Sequence, residues 1–129
     1  GKITGNENFF NIAHKTLQAF SKHVEASPTS FANMFSAFLF DAKGSKELVI
    51  VLNKKKHRYR SIIENIRETY SPQLTIIVKD KRDKILVDKV CPWIKSYKMI
   101  NNLPTYFVCK NFTCMQPTTD LKTALNYLS

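Results

Sequence analysis

The chain has 129 residues, enough for one ordinary domain with a helical extension. Hydrophobic residues make up 43% of it, so a packed core is expected and a disordered chain is excluded. The formal net charge of +10 is typical either of a nucleic-acid-binding protein or of a lysine-rich solvated surface, and both interpretations stay open.

The first residues of the chain and its cysteines indicate whether it is a fragment and in which cellular compartment the protein lies. Gly1 stands where an initiator Met would be, and no apolar secretory segment follows, as expected of a trimmed or processed fragment of a longer protein. No apolar run approaches the roughly 18 residues that cross a bilayer. Three cysteines, an odd number, do not indicate a disulfide framework. These features predict a cytoplasmic location and no membrane partner.

Two helices are predicted first, as a helical hairpin over residues 1–43. In the second helix, Ser27 is placed to cap the amino terminus, Pro28 suits the first turn and Gly44 marks the end. The apolar residues at helical spacing are Phe9, Ile12, Ala13, Leu17, Phe20 and Val24, then Phe31, Met34, Phe35, Phe38 and Leu39. Either these helices belong to a larger helical domain, or they pack wholly on one face of a sheet.

From residue 44 to residue 129 the pattern changes to alternating strands and helices. Strands are predicted over 47–52, 74–78 and 105–109. Helices are predicted over 59–70, over 84–90 and near the carboxy terminus. Ser71-Pro72 ends the first of these helices, and Thr118 or Thr119 caps the last. The β-α-β-α-β-α order indicates an α/β fold: a small three-stranded parallel sheet with flanking helices and right-handed crossovers.

A basic cluster follows the first strand, where ligands of open α/β sheets bind. The candidate anion-binding residues are Lys54, Lys55, Lys56 and Arg58. They either hold a phosphate at a helix amino terminus or form a solvated loop. A second basic stretch, 79–98, is interleaved with aspartates, and neither an aromatic stacking platform nor a helix-turn-helix is recognisable. We therefore expect at most weak, nonspecific and salt-sensitive binding to nucleic acid.

Residues for catalysis or metal binding are scarce. The chain has three histidines, no Gly-x-Ser-x-Gly and no glycine-rich phosphate loop. Cys91, Cys109 and Cys114 lack Cys-x-x-Cys spacing, and no histidine lies nearby in sequence, which argues against zinc. The sequence therefore predicts no catalytic residue, no metal and no cofactor.

Cys109 and Cys114 form a candidate redox pair. The two thiols can meet only if the chain turns back between them, for which Lys110-Asn111 is suitable. They would then lie near the carboxyl edge of the sheet beside Lys110, and a neighbouring cation makes a thiol more reactive. The alternative is that Cys109 is a small core residue and Cys114 packs under the loop.

The last third of the chain resembles a known family. The segment Trp93-Ile94-Lys95-Ser96-Tyr97-Lys98 precedes a run from Leu103 to Asp120 with an aromatic-Val-Cys-x-Asn-Phe-x-Cys-x-x-Pro pattern. Both are similar to the carboxy terminus of YyaL-like thioredoxin-domain-containing proteins, relatives of the spermatogenesis-associated protein 20 family. The upstream order of two helices and a Val-Ile-Val strand is similar too.

The resemblance implies a parent protein of three parts: a thioredoxin-like domain, a middle (α/α) toroid similar to sugar epimerases and glycosidases, and a carboxy-terminal α/β unit. This chain would supply the last toroid helices, over 1–43, and the α/β unit, over 44–129. The family's candidate redox and sugar-type sites lie in the other parts, so no catalytic residue carries over.

The chain is therefore expected to be a non-catalytic structural or interaction module whose partners are the toroid and the thioredoxin-like domain. Isolated from them, it is expected to form a homo-oligomer through the hairpin. Two alternatives stay open: a basic nucleic-acid-binding α/β domain and a thiol-redox accessory domain.

Overall fold

A computed structural model describes residues 1–68, 73–111 and 113–128, apart from the side chain of residue 84. Within these ranges the elements are α1 (Glu7–Ala26), α2 (Ala32–Ala42), β1 (Lys46–Leu52), α3 (Tyr59–Glu68), β2 (Leu74–Asp80), α4 (Lys84–Val90), a 3-10 helix (Pro92–Ile94), β3 (Thr105–Lys110), β4 (Thr113–Cys114) and α5 (Leu121–Leu128). None of the described helices is long and apolar enough to cross a membrane. The predicted end of α3 at Ser71-Pro72 lies outside the described residues.

The helical hairpin forms as predicted, but its second helix starts later than expected. The Asn6 side chain caps α1 by accepting a hydrogen bond from the Asn8 N–H at 2.9 Å. Ser27 was expected to cap α2, and this is wrong: its N–H donates to the His23 carbonyl and ends α1. Its hydroxyl donates to the Ser30 hydroxyl at 2.8 Å, within a turn that occupies the side chain before α2 begins at Ala32.

Glycine ends the hairpin where the sequence predicted. Gly44 follows α2 with φ of 77°, a left-handed conformation that glycine adopts without steric cost. An added Cβ there would lie 3.1 Å from the Asn111 side chain, so the position also needs a small residue.

The sheet has four strands in the order β2-β1-β3-β4. β1 pairs with β2 in parallel, from Lys46↔Leu74 to Leu52↔Asp80. β3 is antiparallel to β1, and β4 is antiparallel to β3. The predicted three-stranded parallel sheet is therefore wrong in strand number and in the direction of β3.

The reversal of β3 follows from the connection that leads to it. At about 1.5 Å per residue, the seven residues of α4 cover about 10 Å, less than half of the roughly 23 Å of a seven-residue strand. Residues 97–102 then lie at the carboxyl ends of β1 and β2. β3 starts from that edge, with Thr105 opposite Val51, and so runs against β1.

Two apolar layers cover the sheet. α3 and α5 pack on one face, around a core of Leu48, Ile50, Leu52, Ile66, Tyr106, Val108, Ala124 and Leu128. α4, the 3-10 helix and the segment after it cover the other, around Val49, Val51, Ile77, Cys91 and Ile94. Every residue of β1 except Lys46 is buried, as predicted for a central strand without polar alternation.

Asp120 caps α5 in place of the predicted Thr118 or Thr119. Its carboxylate accepts hydrogen bonds from the Thr123 N–H at 2.8 Å and the Thr123 hydroxyl at 2.6 Å. Thr118 instead extends the sheet, because its backbone exchanges two hydrogen bonds with Tyr106.

The amino-terminal segment ties the hairpin to the α/β unit. Trp93 Nε1 donates to the Ile3 carbonyl at 2.9 Å. Gly5, with φ of 70°, lies against the same ring, and a Cβ added there would lie 3.2 Å from Trp93 Cδ1. A larger residue at position 5 would push the segment away from Trp93.

Candidate thiol-disulfide site

Cys109 and Cys114 lie side by side on β3 and β4 and are joined by a disulfide, with an S–S distance of 2.07 Å and a Cα–Cα distance of 3.8 Å. The predicted turn between them forms: Asn111 has φ of 49°, a left-handed conformation that asparagine tolerates. The odd number of cysteines did not indicate a disulfide. The number of cysteines alone does not tell which strands become neighbours.

The pair lies at the opposite edge of the sheet from the one predicted. Because β3 is antiparallel, its carboxyl end meets the amino end of β1, and Cys109 pairs with Glu47. The expectation that the thiols lie at the carboxyl edge is therefore wrong. The basic cluster after β1 lies at the far end of that strand, so the two predicted sites do not come together.

The two cysteines differ in exposure. Cys109 is fully buried, whereas Cys114 is exposed. A thiolate arriving from solvent would therefore meet Cys114 first, and Cys109 would be the leaving group if the disulfide opened.

Tyr97 contacts the disulfide from the segment after the 3-10 helix. Its hydroxyl lies 3.0 Å from Cys114 Sγ and 3.9 Å from Cys109 Sγ. The ring stacks on Phe107 with a centroid distance of 4.2 Å, which fixes its position. Burial raises the pKa of Tyr97, so the hydroxyl keeps its proton near neutral pH and can donate it in a hydrogen bond to sulfur.

A buried carboxylate lies on the other side of Cys109. Glu47 is directly opposite Cys109 in the antiparallel register, so the two side chains share one face of the sheet. The Ser45 hydroxyl donates to Glu47 Oε1. Ser45 and Asn111 also bind each other, since each N–H donates at 3.2 Å to an oxygen of the other residue.

These neighbours of the disulfide were not predicted from the sequence. Glu47 begins an apolar strand in the sequence. An acidic residue at the start of a strand that is buried on both faces could have indicated a polar site there. Tyr97 gave no such signal, because its contact with Cys114 depends on how the segment after the 3-10 helix folds over the sheet.

The third cysteine takes no part in this site. Cys91 is buried in the core under α4 and free. Burial raises the pKa of the Cys91 thiol, which makes it a poor nucleophile.

The candidate anion-binding residues lie on the turn between β1 and α3. Lys54 Nζ lies over the Tyr59 ring, 5.4 Å from its centroid, while Lys55, Lys56 and Arg58 are exposed. The turn that carries them is organised by Asn53, whose N–H donates to His57 Nδ1 at 3.1 Å. A role in binding anions stays a prediction for these four residues.

Two ion pairs involve neighbouring residues of β2. Lys79 is buried and pairs with Asp88 of α4 at 2.6 Å, while it also donates to the carbonyls of Ile94 and Lys95. Arg82 pairs with the buried Asp80 at 2.8 Å, and hydrogen bonding by Arg82 lowers the pKa of Asp80 despite its burial. Among the described residues no group of three or more histidine, cysteine or acidic side chains is placed to hold a metal.

The fold and the site define a class: a three-layer α/β unit with a cross-strand cysteine pair, preceded by an apolar helical hairpin. The chain is similar to human spermatogenesis-associated protein 20, with 21% identity over 118 residues that cover 92% of the chain. The rat and mouse proteins of that name match the same share at 20% identity. The resemblance to this family is thus confirmed.

The matched region is a small part of those relatives. The chain spans 15% of the length of the human, rat and mouse proteins. No protein-family model matches the chain, and no solved structure matches it.

Proposed function

We propose that this chain is the carboxy-terminal structural and interaction module of a larger cytoplasmic protein, and that residues 1–43 complete a helical toroid. The α/β unit over 44–129 would cap that toroid and face a thioredoxin-like domain. The similarity over 15% of much longer relatives supports a module of a larger protein. The toroid and the thioredoxin-like domain are implied by the resemblance.

The apolar surface of the hairpin carries the proposal. α2 contains three phenylalanines, a leucine and a methionine in 11 residues, yet none of its residues is buried. In α1 only Leu17 and Val24 are buried, while Phe9, Ile12 and Phe20 are 51%, 61% and 42% exposed. Covering one such side chain stabilises a protein by about 1.5–3 kcal/mol.

The shape of that surface fits a helical neighbour. An open groove of about 1020 Å³ runs between α1 and α2, with an apolar lining that includes Phe10, Leu17, Phe31, Met34 and Phe40. Helices of an (α/α) toroid pack through such grooves by interdigitating their side chains.

Hydrogen exchange of the isolated chain and of the full-length protein tests this role. We expect the amides of α2 to exchange quickly in the isolated chain and to be protected in the full-length protein, because partner helices then cover them. The amides of β1 serve as the internal control and exchange slowly in both. Equal exchange of α2 in the two proteins would refute the proposal.

A second candidate function is a thiol-redox accessory role, favoured by the disulfide between one exposed and one buried sulfur. Disulfides in a reducing cytoplasm are usually transient, and either catalytic or redox-sensing. The fitting reductant is a dithiol protein of the thioredoxin class, such as the thioredoxin-like domain that the resemblance implies for the parent protein.

The dithiol protein would reduce the Cys109–Cys114 disulfide in two thiol–disulfide exchange steps. A thiolate of the reductant attacks Cys114 Sγ and forms a mixed disulfide, while the electron pair of the broken bond leaves on Cys109 Sγ, which takes up a proton. The second thiolate of the reductant then attacks the reductant sulfur that is bonded to Cys114 in the mixed disulfide. Cys114 leaves as a thiolate and is protonated. The reductant's two thiols become a disulfide, and the pair becomes two thiols.

Thiol labelling of the native chain tests the redox role. After treatment with dithiothreitol we expect alkylation at Cys114 before Cys109, and none at Cys91 until the chain unfolds. Cys91→Ser is the control and should leave the reaction unchanged. If neither Cys109 nor Cys114 reacts until unfolding, the pair is structural and the redox role is excluded.

A further inference from the structure

A small cavity lies at the carboxyl ends of β1 and β2. The chain leaves β1 toward the face covered by α3, and it leaves β2 toward the face covered by α4. Adjacent parallel strands whose connections depart to opposite faces leave a crevice beyond their carboxyl ends, which is where open α/β sheets bind ligands.

The lining combines apolar surface with three cationic side chains. The cavity has a volume of about 240 Å³ and is lined by Val51, Lys79, Lys81, Tyr97, Lys98, Met99 and Asn102. This is below the roughly 300–1,000 Å³ of pockets for drug-sized ligands, so the cavity suits a molecule with a single ring. Tyr97 stacks one ring face on Phe107, so only the rest of that ring is available to an occupant.

The available charge in the cavity is positive. Lys79 forms an ion pair with Asp88 and donates hydrogen bonds to two backbone carbonyls, so its charge is already compensated within the protein. Lys81 and Lys98 are exposed, and over the described ranges no carboxylate lies within salt-bridge distance of either ammonium group. The cavity can therefore take one negative group without displacing an existing ion pair.

A hydrogen-bonded turn forms its rim. Asn101 and Asn102 both have positive φ, 50° and 57°, and the Leu103 N–H donates to the Ile100 carbonyl at 2.9 Å. The Ile100 N–H in turn donates to the Thr105 hydroxyl at 2.8 Å, and Thr105 is fully buried. Because the turn is fixed before a ligand arrives, little conformational entropy is lost on binding.

We propose that this cavity binds a small flat anion. Its carboxylate or phosphate group lies between Lys81 and Lys98, and its apolar ring lies against Tyr97, Met99 and Val51. Asn102, at the rim, offers both a hydrogen-bond donor and an acceptor and selects for a polar substituent on the ring.

An NMR titration of the 129-residue chain tests the site with benzoate and phenyl phosphate as probes and with uncharged benzamide as the matched control. At 0.15 M salt we expect both anions to shift the amide signals of residues 79–81 and 97–102, and benzamide to bind several-fold more weakly. Lys81→Gln and Lys98→Gln should each weaken benzoate binding by about three- to tenfold, because each removes one charged hydrogen bond.

Lys55→Gln is the control variant, because Lys55 belongs to the basic cluster after β1 and does not line the cavity. It should leave benzoate binding unchanged. Shifts confined to residues 54–58, a loss with Lys55→Gln equal to that with Lys98→Gln, or benzamide binding as tight as benzoate binding would each overturn the proposal. A preference for phenyl phosphate over benzoate would assign phosphate esters as the ligand class, and the reverse would assign carboxylates.

Discussion

Tyr97 contacts several different groups on the α4 face of the sheet. Its hydroxyl lies near both sulfurs of the disulfide, its ring stacks on Phe107 and meets Trp93 edge-on, and the residue also lines the cavity at the carboxyl ends of β1 and β2. A hydroxyl that keeps its proton stabilises a neighbouring thiolate by donating to it, and this effect can be separated from the packing of the ring.

Tyr97→Phe removes the hydroxyl and keeps the ring. We expect alkylation of reduced Cys114 at pH 7 to slow by about three- to fivefold, because the thiolate loses a hydrogen bond of about 1 kcal/mol. The measurement is the rate of iodoacetamide labelling at Cys114, followed by mass spectrometry. Tyr127→Phe, at an exposed position on α5, is the control and should not change the rate. Equal rates for wild type and Tyr97→Phe would mean that the hydroxyl only fills space.

The Asp80–Arg82 pair makes a pH-dependent contribution to stability. Arg82 holds the pKa of Asp80 below its ordinary value of 3.8, so the pair stabilises the fold fully above that value and loses its effect as the pH falls through the lower folded-state pKa. Arg82→Met should therefore lower the melting temperature at pH 7, and this deficit should shrink as the pH falls below 3.8. Arg67→Met, an exposed arginine of α3, should have little effect at either pH. A deficit for Arg82→Met that stays the same from pH 7 to pH 2 would contradict this assignment.

At the scale of elements, local patterns predicted which segments are helices and strands, but not how the strands are ordered. The apolar runs of β1, β2 and β3 and the span of α4 were recognisable, since burial and periodicity are local properties of the sequence. The direction of β3 was not, because it depends on the short α4 and on the turn at Asn101–Asn102, which a strand pattern does not contain. The same error moved the cysteine pair to the wrong edge.

Capping residues show a second limit of the same kind. Ser27, Thr118 and Asp120 are all good caps by residue type, and only Asp120 caps the predicted helix. The Ser27 hydroxyl donates a hydrogen bond to the Ser30 hydroxyl instead, and the backbone of Thr118 pairs with Tyr106. For the site, the turn at Asn111 followed from its sequence, whereas Glu47 and Tyr97 came close only through the register of β1 with β3 and through ring stacking.

The β3–β4 turn depends on Asn111 for both its conformation and its hydrogen bonds. Asn111→Gly keeps the left-handed backbone but loses the bond to the Ser45 N–H, and we expect a loss of about 1 kcal/mol in the free energy of unfolding. Asn111→Ala also places a less tolerant residue at φ of 49°, and should cost about 1 kcal/mol more. Urea denaturation of the disulfide-bonded chain measures both. If alanine is tolerated as well as glycine, the backbone conformation is not what the asparagine provides.

At the scale of the whole molecule, part of the net charge of +10 is engaged in contacts within the fold. Lys54 and the buried Lys79 are occupied by a ring and by an ion pair, and Arg82 pairs with Asp80. We therefore expect nucleic-acid binding that is weak, independent of sequence and strongly reduced between about 0.05 and 0.2 M salt. Fluorescence anisotropy with single- and double-stranded oligonucleotides checks this. Sequence-selective binding that survives the higher salt would favour the nucleic-acid-binding alternative.

The last prediction concerns the isolated chain, which presents the hairpin without a helical neighbour. Phe35 and Leu39 of α2 are 44% and 40% exposed, and Phe9, Ile12 and Phe20 of α1 are exposed as well. An apolar surface of this kind favours association with another copy of the chain, most simply across a two-fold axis.

We expect sedimentation velocity to show a monomer–dimer equilibrium that shifts toward dimer as concentration rises. Phe35→Ser and Ile12→Ser should shift it toward monomer without unfolding the α/β unit, because neither residue lies in the core of the sheet. Glu25→Gln, at an exposed position of α1 that does not line the groove, is the control and should leave the equilibrium unchanged. A chain that stays monomeric at high concentration, with Phe31, Phe35 and Phe38 protected inside it, would show that the hairpin folds back on its own α/β unit and needs no partner.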